Sequence, residues 1–395
     1  MKYSTKNNIK LALPELIALV KNNLPDFVLK NSAKVENQII VFSMHTPDPV
    51  LFDRQMRFLA ENGYHTVNTE EFHRYLLHGV PPKCLMLTFD DCRASLWTTV
   101  FSILKKYNLK GIAYLSPYFI TKESGENAQY HTGQNHAFCL GIDNSSYPFS
   151  AWKEISEMHN SGIIDFQGHT YFHELIFTSP KIKYFIEPGY NWGFHNFVYP
   201  VVSQKGLNNY NRQLPLGTPI YEMDLRMSGK LRYYDDEDLR EHCVGYVRKN
   251  GGEYFFKRKK WKKQLLLVAK KYRDLKGDKG YFEKHKDMKS YLLEDFINTR
   301  KTIESRLVGK KITSMCFPWE VGSDIAIEAA KEAGYKSCVW GIIPGRKTNR
   351  AGDDPYHVCR LSSDFIFRLP GKGRISFAKL IINKVIKRLN IFNKH

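Results

Sequence analysis

The stretch Cys84–Cys92, "CLMLTFDDC", decides how the chain is read. From Cys84 to Phe89 it carries no charge and is apolar except for Thr88, as suits a strand buried on both faces. Two adjacent carboxylates, Asp90 and Asp91, follow at once. An aspartate pair after a strand can be no more than a helix N-cap or a surface turn, so its meaning depends on its surroundings.

Strand-like and helix-like segments alternate on either side. "QIIVFSMH" (38–45) reads as a strand and "LFDRQMRFLAENG" (51–63) as an amphipathic helix closed by Gly63. "NTEEFHRYLLHG" (68–79) places Glu71 three residues after Asn68, the spacing of a capping box. Helix "SLWTTVFSILKKYNLK", strand "GIAYLS", a polar loop over 121–147, helix "SAWKEISEMHNSG" and strand "IIDFQ" come next. The rhythm resumes with helix "LEDFINTRKTIESRLVG", strand "ITSMCF", helix "SDIAIEAAKEAG" and strand "SCVWG". Such alternation predicts a parallel sheet with right-handed crossovers, and an α/β barrel rather than an open sheet.

Five segments are expected: a helical extension over 1–36, barrel halves over 37–178 and 290–365, a basic insertion over 179–289, and a basic amphipathic tail over 366–395. The insertion is expected to form a lobe over one end of the barrel. Its first half, rich in Pro, Gly, Asn and Tyr, reads as loops, and "EYFFKRKKWKKQLLLVAKKYR" (253–273) as one basic helix. In "GRISFAKLIINKVIKRLNIFNKH" (373–395) apolar residues recur near helical spacing among Lys379, Lys384, Lys387 and Arg388, the pattern of an interfacial helix or of one packed on the protein's own surface.

Across 395 residues the hydrophobic share of 43% excludes a disordered or collagen-like chain. Seven cysteines stand singly, with no C-x-x-C pair, which points to a reducing compartment. No secretory leader is recognisable at the N-terminus, so a cytoplasmic protein is expected, with peripheral contact at the inner face of the membrane. The net charge of +19 attracts something anionic: a phosphorylated substrate, an acidic membrane or nucleic acid.

Active sites of parallel barrels gather where strands end. Strand "IIDFQ" runs into "GHTYFH", which puts His169 and His173 at the same end as Asp90 and Asp91, four residues apart. Two imidazoles and one carboxylate form a familiar triad around a divalent metal. The second carboxylate then has a purpose, since a metal acidifies water and a nearby unligated carboxylate can take its proton.

"LTFDD" followed by "GHTYFH" resembles the polysaccharide deacetylase family, also called the NodB-homology domain or carbohydrate esterase family 4. "FDRQMRFLAENGYHTVNTEEFHRYL", "FSAWKEISEMHNSGIIDFQGHT" and "CFPWEVGSDIAIEAAKEAGYKSCVWG" resemble the family in length and pattern. The resemblance covers residues 37–178 and 290–345. It implies a distorted (β/α) barrel and a metal-dependent carbohydrate deacetylase. Asp90 would be the general base, Asp91, His169 and His173 the ligands of a divalent ion, foremost Zn²⁺, while Pro318 and Trp319 would line the substrate groove.

Three departures accompany it. The glycine expected after the aspartate pair is Cys92, and the arginine expected two residues before Pro318 is Cys316, so the cation that orients the base is missing unless Arg93 replaces it. The family's leucine-x-histidine motif, source of the general acid, is not recognisable; His357 lies near its expected place and reads equally as a strand histidine. His131, His136, Trp192 and His195 occupy loops that could approach the site.

The expected activity is removal of an acyl group, N-acetyl above all, from an amino sugar of a glycan, or of an activated or lipid-linked saccharide. The rival is an inactive protein on the same fold that binds glycans or anionic polymers through the basic insertion. Nucleic-acid binding through "FFKRKKWKKQ" has no accompanying motif.

Overall fold

The computed structural model describes residues 17–18, 21, 23–30, 35–120, 149–190, 202–204, 207–209 and 214–393. Most of the helical extension expected over 1–36 lies outside them, as do the loop expected over 121–147 with His131 and His136, and Trp192 and His195. The strands in chain order are β1 (Ile40–Met44), β2 (His65–Thr66), β3 (Cys84–Phe89), β4 (Gly111–Leu115), β5 (Ile164–Gly168), β6 (Leu175–Phe185) and β7 (Val202–Gln204). Then come β8 (Leu207–Asn209), β9 (Pro219–Leu225), β10 (Tyr233–Tyr234), β11 (Tyr281–Phe282), β12 (Ser314–Cys316), β13 (Ser337–Val339) and β14 (Leu361–Ser362).

The chain divides into two compact units: residues 1–172, 293–321 and 327–395 form the first, residues 173–292 with 322–326 the second. In the first, eight strands run in the order β13-β12-β5-β4-β3-β1-β14, with β2 also on β3. Every pairing is parallel, as the alternation of strands and helices predicts. A single parallel bridge, Val339 to Val358, links the β13 edge to the segment leading into β14. This is the expected distorted (β/α) barrel, an incompletely closed parallel sheet with helices between its strands.

All six residues of β3 are buried, as the uncharged run requires. Its alternate side chains Cys84 and Met86 join Val41, Ile112, Tyr114, Cys316 and Val339 in the core. The period of two carries that face through Thr88 to Asp90. Asn68 and Glu71 form the expected capping box, with bonds of 2.8 and 2.9 Å.

The helix read from Ser95 onward differs in detail: it opens with a π-helical turn over Leu96–Phe101 before the α-helix Ser102–Lys106. In the first unit two strands escaped the sequence, β2 and β14, each only two residues long.

The second unit corrects the reading of loops. Its β6 and β9 form an antiparallel pair from Leu175↔Leu225 to Phe185↔Pro219, with register shifts between Phe177 and Tyr184. Pro180 and these irregularities break the period-two alternation, which hid the strand. The basic helix is shorter than read, Trp261–Lys276, preceded by a 3₁₀ turn over Gly252–Lys257. That turn lets Phe255 enter the core with Leu239, Cys243 and Leu265.

His73, on the helix Thr69–His78, makes a 2.9 Å hydrogen bond between its Nε2 and the Ser337 hydroxyl. Burial, helped by Lys336 and opposed by Asp165, lowers its pKa to about 4. Below its unfolded value of about 6.5 the unfolded chain binds a proton that the folded chain refuses, so stability falls as pH falls through that window. Between pH 7 and pH 5 the wild type should lose ~2 kcal/mol more than a His73→Gln variant, read from urea denaturation at both pH values. Equal losses would show that His73 does not carry the dependence.

Candidate active site

The C-terminal ends of β3, β5 and β12 turn through backbone that ordinary residues avoid. Asp91 and Cys92 follow β3 at φ 67° and 54°, Thr170 and His173 follow β5 at 61° and 52°, and Trp319 and Glu320 follow β12 at 52° and 65°. Left-handed backbone at non-glycine residues costs free energy and persists where the surroundings enforce it. At Cys92 the strain explains the expected glycine, which would adopt this conformation without cost.

Asp90 is 2% exposed, and Arg360, from the residue before β14, grips it with both arms. Arg360 Nη1 donates to Oδ1 at 2.7 Å and Nη2 to Oδ2 at 2.8 Å. The guanidinium also donates to the Thr88 hydroxyl at 3.1 Å and, through Nε, to the Trp340 carbonyl at 2.9 Å. Glu320 stands 3.4 Å from Nη2, where Gly341 leaves room that a Cβ would fill. Burial alone would raise the Asp90 pKa, but Arg360 foremost, then His169, hold it below the ordinary carboxylate range. The orienting cation is therefore present, contrary to the expectation drawn from Cys316, and Arg93 does not supply it. Arg93 Nε lies 3.3 Å from Asp91 Oδ2 instead.

Cys316 occupies the position where an arginine was expected, its Sγ 3.8 Å from each Asp90 oxygen. Burial pushes this thiol far up, so it stays protonated and donates toward the carboxylate. His45, one residue past β1, brings Nε2 to 3.8 Å from Asp90 Oδ2 with half of its side chain exposed. Neither His45 nor Arg360 carries a sequence signal; each follows from its place at a strand end.

The His169 Nδ1 pairs with the Cys316 carbonyl at 2.8 Å, an acceptor that requires the proton on Nδ1 and leaves the Nε2 lone pair available. That Nε2 lies 3.5 Å from Asp91 Oδ1. His173 is four residues further along the same unbroken loop, and the donor atoms of Asp91, His169 and His173 lie within 4.8 Å of one another, all three residues buried. Donors around one zinc ion sit roughly 3–4 Å apart, given bonds of about 2.0–2.2 Å, so this group fits a divalent ion with little adjustment. Asp90, His169 and Cys316 are equally close, but both oxygens of Asp90 are engaged by Arg360 and the thiol is protonated.

Pro318 is buried and Trp319 half-buried on a 3₁₀ turn directly after Phe317. His357 sits on another 3₁₀ turn, Pro355–His357, rather than in a strand. Its Nδ1 meets Asp354 Oδ2 at 2.5 Å and its ring stacks on Trp340 at 5.4 Å.

A family profile described as polysaccharide deacetylase matches residues 78–185, the segment that holds Asp90, Asp91, His169 and His173. Over that segment the chain is similar to the polysaccharide deacetylase family. The poly-beta-1,6-N-acetyl-D-glucosamine N-deacetylase of Staphylococcus epidermidis is 25% identical over 173 residues, 43% of this chain and 51% of that protein. The protein of the same name from Staphylococcus aureus matches equally, 25% over 173 residues. The chain thus spans about half the length of these curated relatives. Among solved structures, the deacetylase domain of BpsB from Bordetella bronchiseptica overlays 83% of this chain and 97% of its own at 15% identity and a TM-score of 0.49. A de-N-acetylase from Aggregatibacter actinomycetemcomitans overlays 82% and 95% at 17% identity and 0.47.

Removing one partner of a buried ion pair leaves an uncompensated charge. Arg360→Met should cost ~3–5 kcal/mol in urea denaturation, and the double variant Asp90→Leu/Arg360→Met should recover most of it. Additive losses in the double variant would show that the two side chains do not act as a pair.

Proposed function

We propose that the protein is a metal-dependent hydrolase that removes an N-acetyl group from an amino sugar of a glycan or glycan precursor. The observation that carries this reading is the buried donor group Asp91, His169 and His173 beside a carboxylate, Asp90, that Arg360 keeps ionised. The relatives named as N-deacetylases of poly-beta-1,6-N-acetyl-D-glucosamine support the substrate class.

Asp91, His169 and His173 would hold the ion, and two imidazoles with one carboxylate suit Zn²⁺ first among divalent ions. When bound, it supplies Lewis-acid polarisation of the acyl carbonyl and acidifies a water molecule. Asp90 is the base that takes the proton from the attacking water, and its bidentate hold on Arg360 fixes the direction in which it accepts. His45, at 3.8 Å from Asp90 and open to solvent on one side, gives a proton to the departing nitrogen. A carbon–oxygen bond forms and the carbon–nitrogen bond breaks; acetate and the free amine leave. Trp319 and Pro318 flank the sugar. The net charge of +19 suits a saccharide that carries phosphate, such as a lipid-linked precursor.

The test compares wild type with three variants for bound metal, by elemental analysis, and for acetate released from N-acetylated saccharides. Asp91→Ala should lose both metal and activity. Asp90→Asn should keep the metal while its rate falls ~10²–10⁴-fold, and His45→Ala should keep it with a comparable loss in rate. A wild type that neither carries nor takes up divalent metal would overturn the reading; an unchanged rate in Asp90→Asn would overturn the assignment of the base.

A further inference from the structure

The helix Phe377–Asn393 is attached to the first unit by one side only. Leu380 is 2% exposed, Phe377 is half-buried, and Lys384 reaches Asp364 at 3.5 Å while its ammonium lies 4.2 Å over the Phe365 ring. These residues recur at intervals of three and four and mark the inner face. Around the helix from them, Ile381, Ile382, Val385 and Ile386 are 40%, 57%, 48% and 48% exposed. Four aliphatic side chains on two successive turns form a continuous apolar strip that the first unit leaves uncovered. Scattered exposed apolar residues need no explanation, but a strip with this periodicity is of the kind that marks an interaction surface.

Charge selects the occupant. From Phe377 to Asn393 the sequence holds Lys379, Lys384, Lys387 and Arg388 and no acidic residue, on a chain of net charge +19. A second copy seated on this strip would set two such helices together within a short, weakly screened distance, so like charges oppose that pairing. An anionic lipid surface offers the reverse: headgroups for the cations and an apolar boundary for the aliphatic strip. The helix carries four basic residues within 17 and is interrupted by asparagines, and no helix among the described residues is long and apolar enough to cross a membrane. It is suited to lie in the interface plane.

We propose that the helix Phe377–Asn393 docks the protein on the surface of an anionic phospholipid bilayer, burying Ile381, Ile382, Val385 and Ile386 among the acyl chains. The inference stands on this surface alone and does not depend on the chemistry of the candidate active site. The two can fail separately.

The experiment is co-sedimentation of the full chain with extruded vesicles at 0.15 M salt, using phosphatidylcholine alone and phosphatidylcholine with about a third phosphatidylglycerol. It is run beside an Ile382→Asp/Ile386→Asp variant and, since both positions are exposed, circular dichroism should show that the variant is folded. A second variant, Lys379→Glu, probes the charge without altering the apolar strip. The wild type should pellet with the anionic vesicles and far less with the neutral ones. The double aspartate variant should bind at least ~10-fold more weakly, and Lys379→Glu should weaken binding by a smaller factor. Equal binding by wild type and the double variant would place any lipid contact elsewhere and overturn the proposal. So would failure of the wild type to pellet, or a concentration-dependent dimer in sedimentation equilibrium that the double variant loses.

Discussion

The ion pair between Arg360 and Asp90 is the constraint around which the first unit is arranged. A buried carboxylate is tolerable only when its charge is matched, and the match here requires that β14, the strand at one edge of the sheet, deliver a guanidinium to the end of β3. The planar fork explains why arginine serves: two donors meet two carboxylate oxygens while Nε remains for the Trp340 carbonyl and Nη1 also reaches Thr88. Lysine offers neither the geometry nor the number of bonds. The pair thereby ties the sheet's edge to its centre and sets the protonation state of the residue assigned as base.

Adjacent aspartates behave differently because the backbone separates them. Asp90 continues the inward face of β3, whereas the left-handed turn at Asp91 and Cys92 swings the second carboxylate to Arg93 and His169. Had both faced one way, two buried negative charges would have opposed each other and one would have taken up a proton. The same device recurs after β5, where Thr170 and His173 adopt left-handed backbone without forming a helix. The four-residue spacing of His169 and His173 reflects a tight loop rather than one face of a helix.

Much of this was legible in the sequence because the signals were local. The uncharged run of β3, the capping box at Asn68 and Glu71, and the loop carrying His169 and His173 each lie within a dozen residues. What escaped was either short or distant. β14 is two residues long, too brief for periodicity to register, and Arg360 lies 270 residues from Asp90. His45 looked like the last residue of an ordinary strand. In the second unit, Pro180 and the register shifts of β6 disguised a long strand as loop, and the pull of Phe255 into the core broke one expected helix into a turn and a shorter helix.

Cys316 is instructive because, read alone, it counts against an active site. An arginine there would have matched Asp90 from the neighbouring side, and its replacement by a small thiol looked like the loss of the orienting cation. Yet Asp90 offers two oxygens, and one bidentate guanidinium occupies both. A second arginine at position 316 would press a second cation against a buried carboxylate whose two oxygens Arg360 already engages, a worse electrostatic balance than one guanidinium alone. With Arg360 in place, position 316 needs a residue that fills little space, carries no charge and tolerates contact with a carboxylate. A protonated cysteine, 3.8 Å from both oxygens, meets those three conditions. The two positions are therefore one electrostatic unit, and a departure at either has meaning only when the other is known.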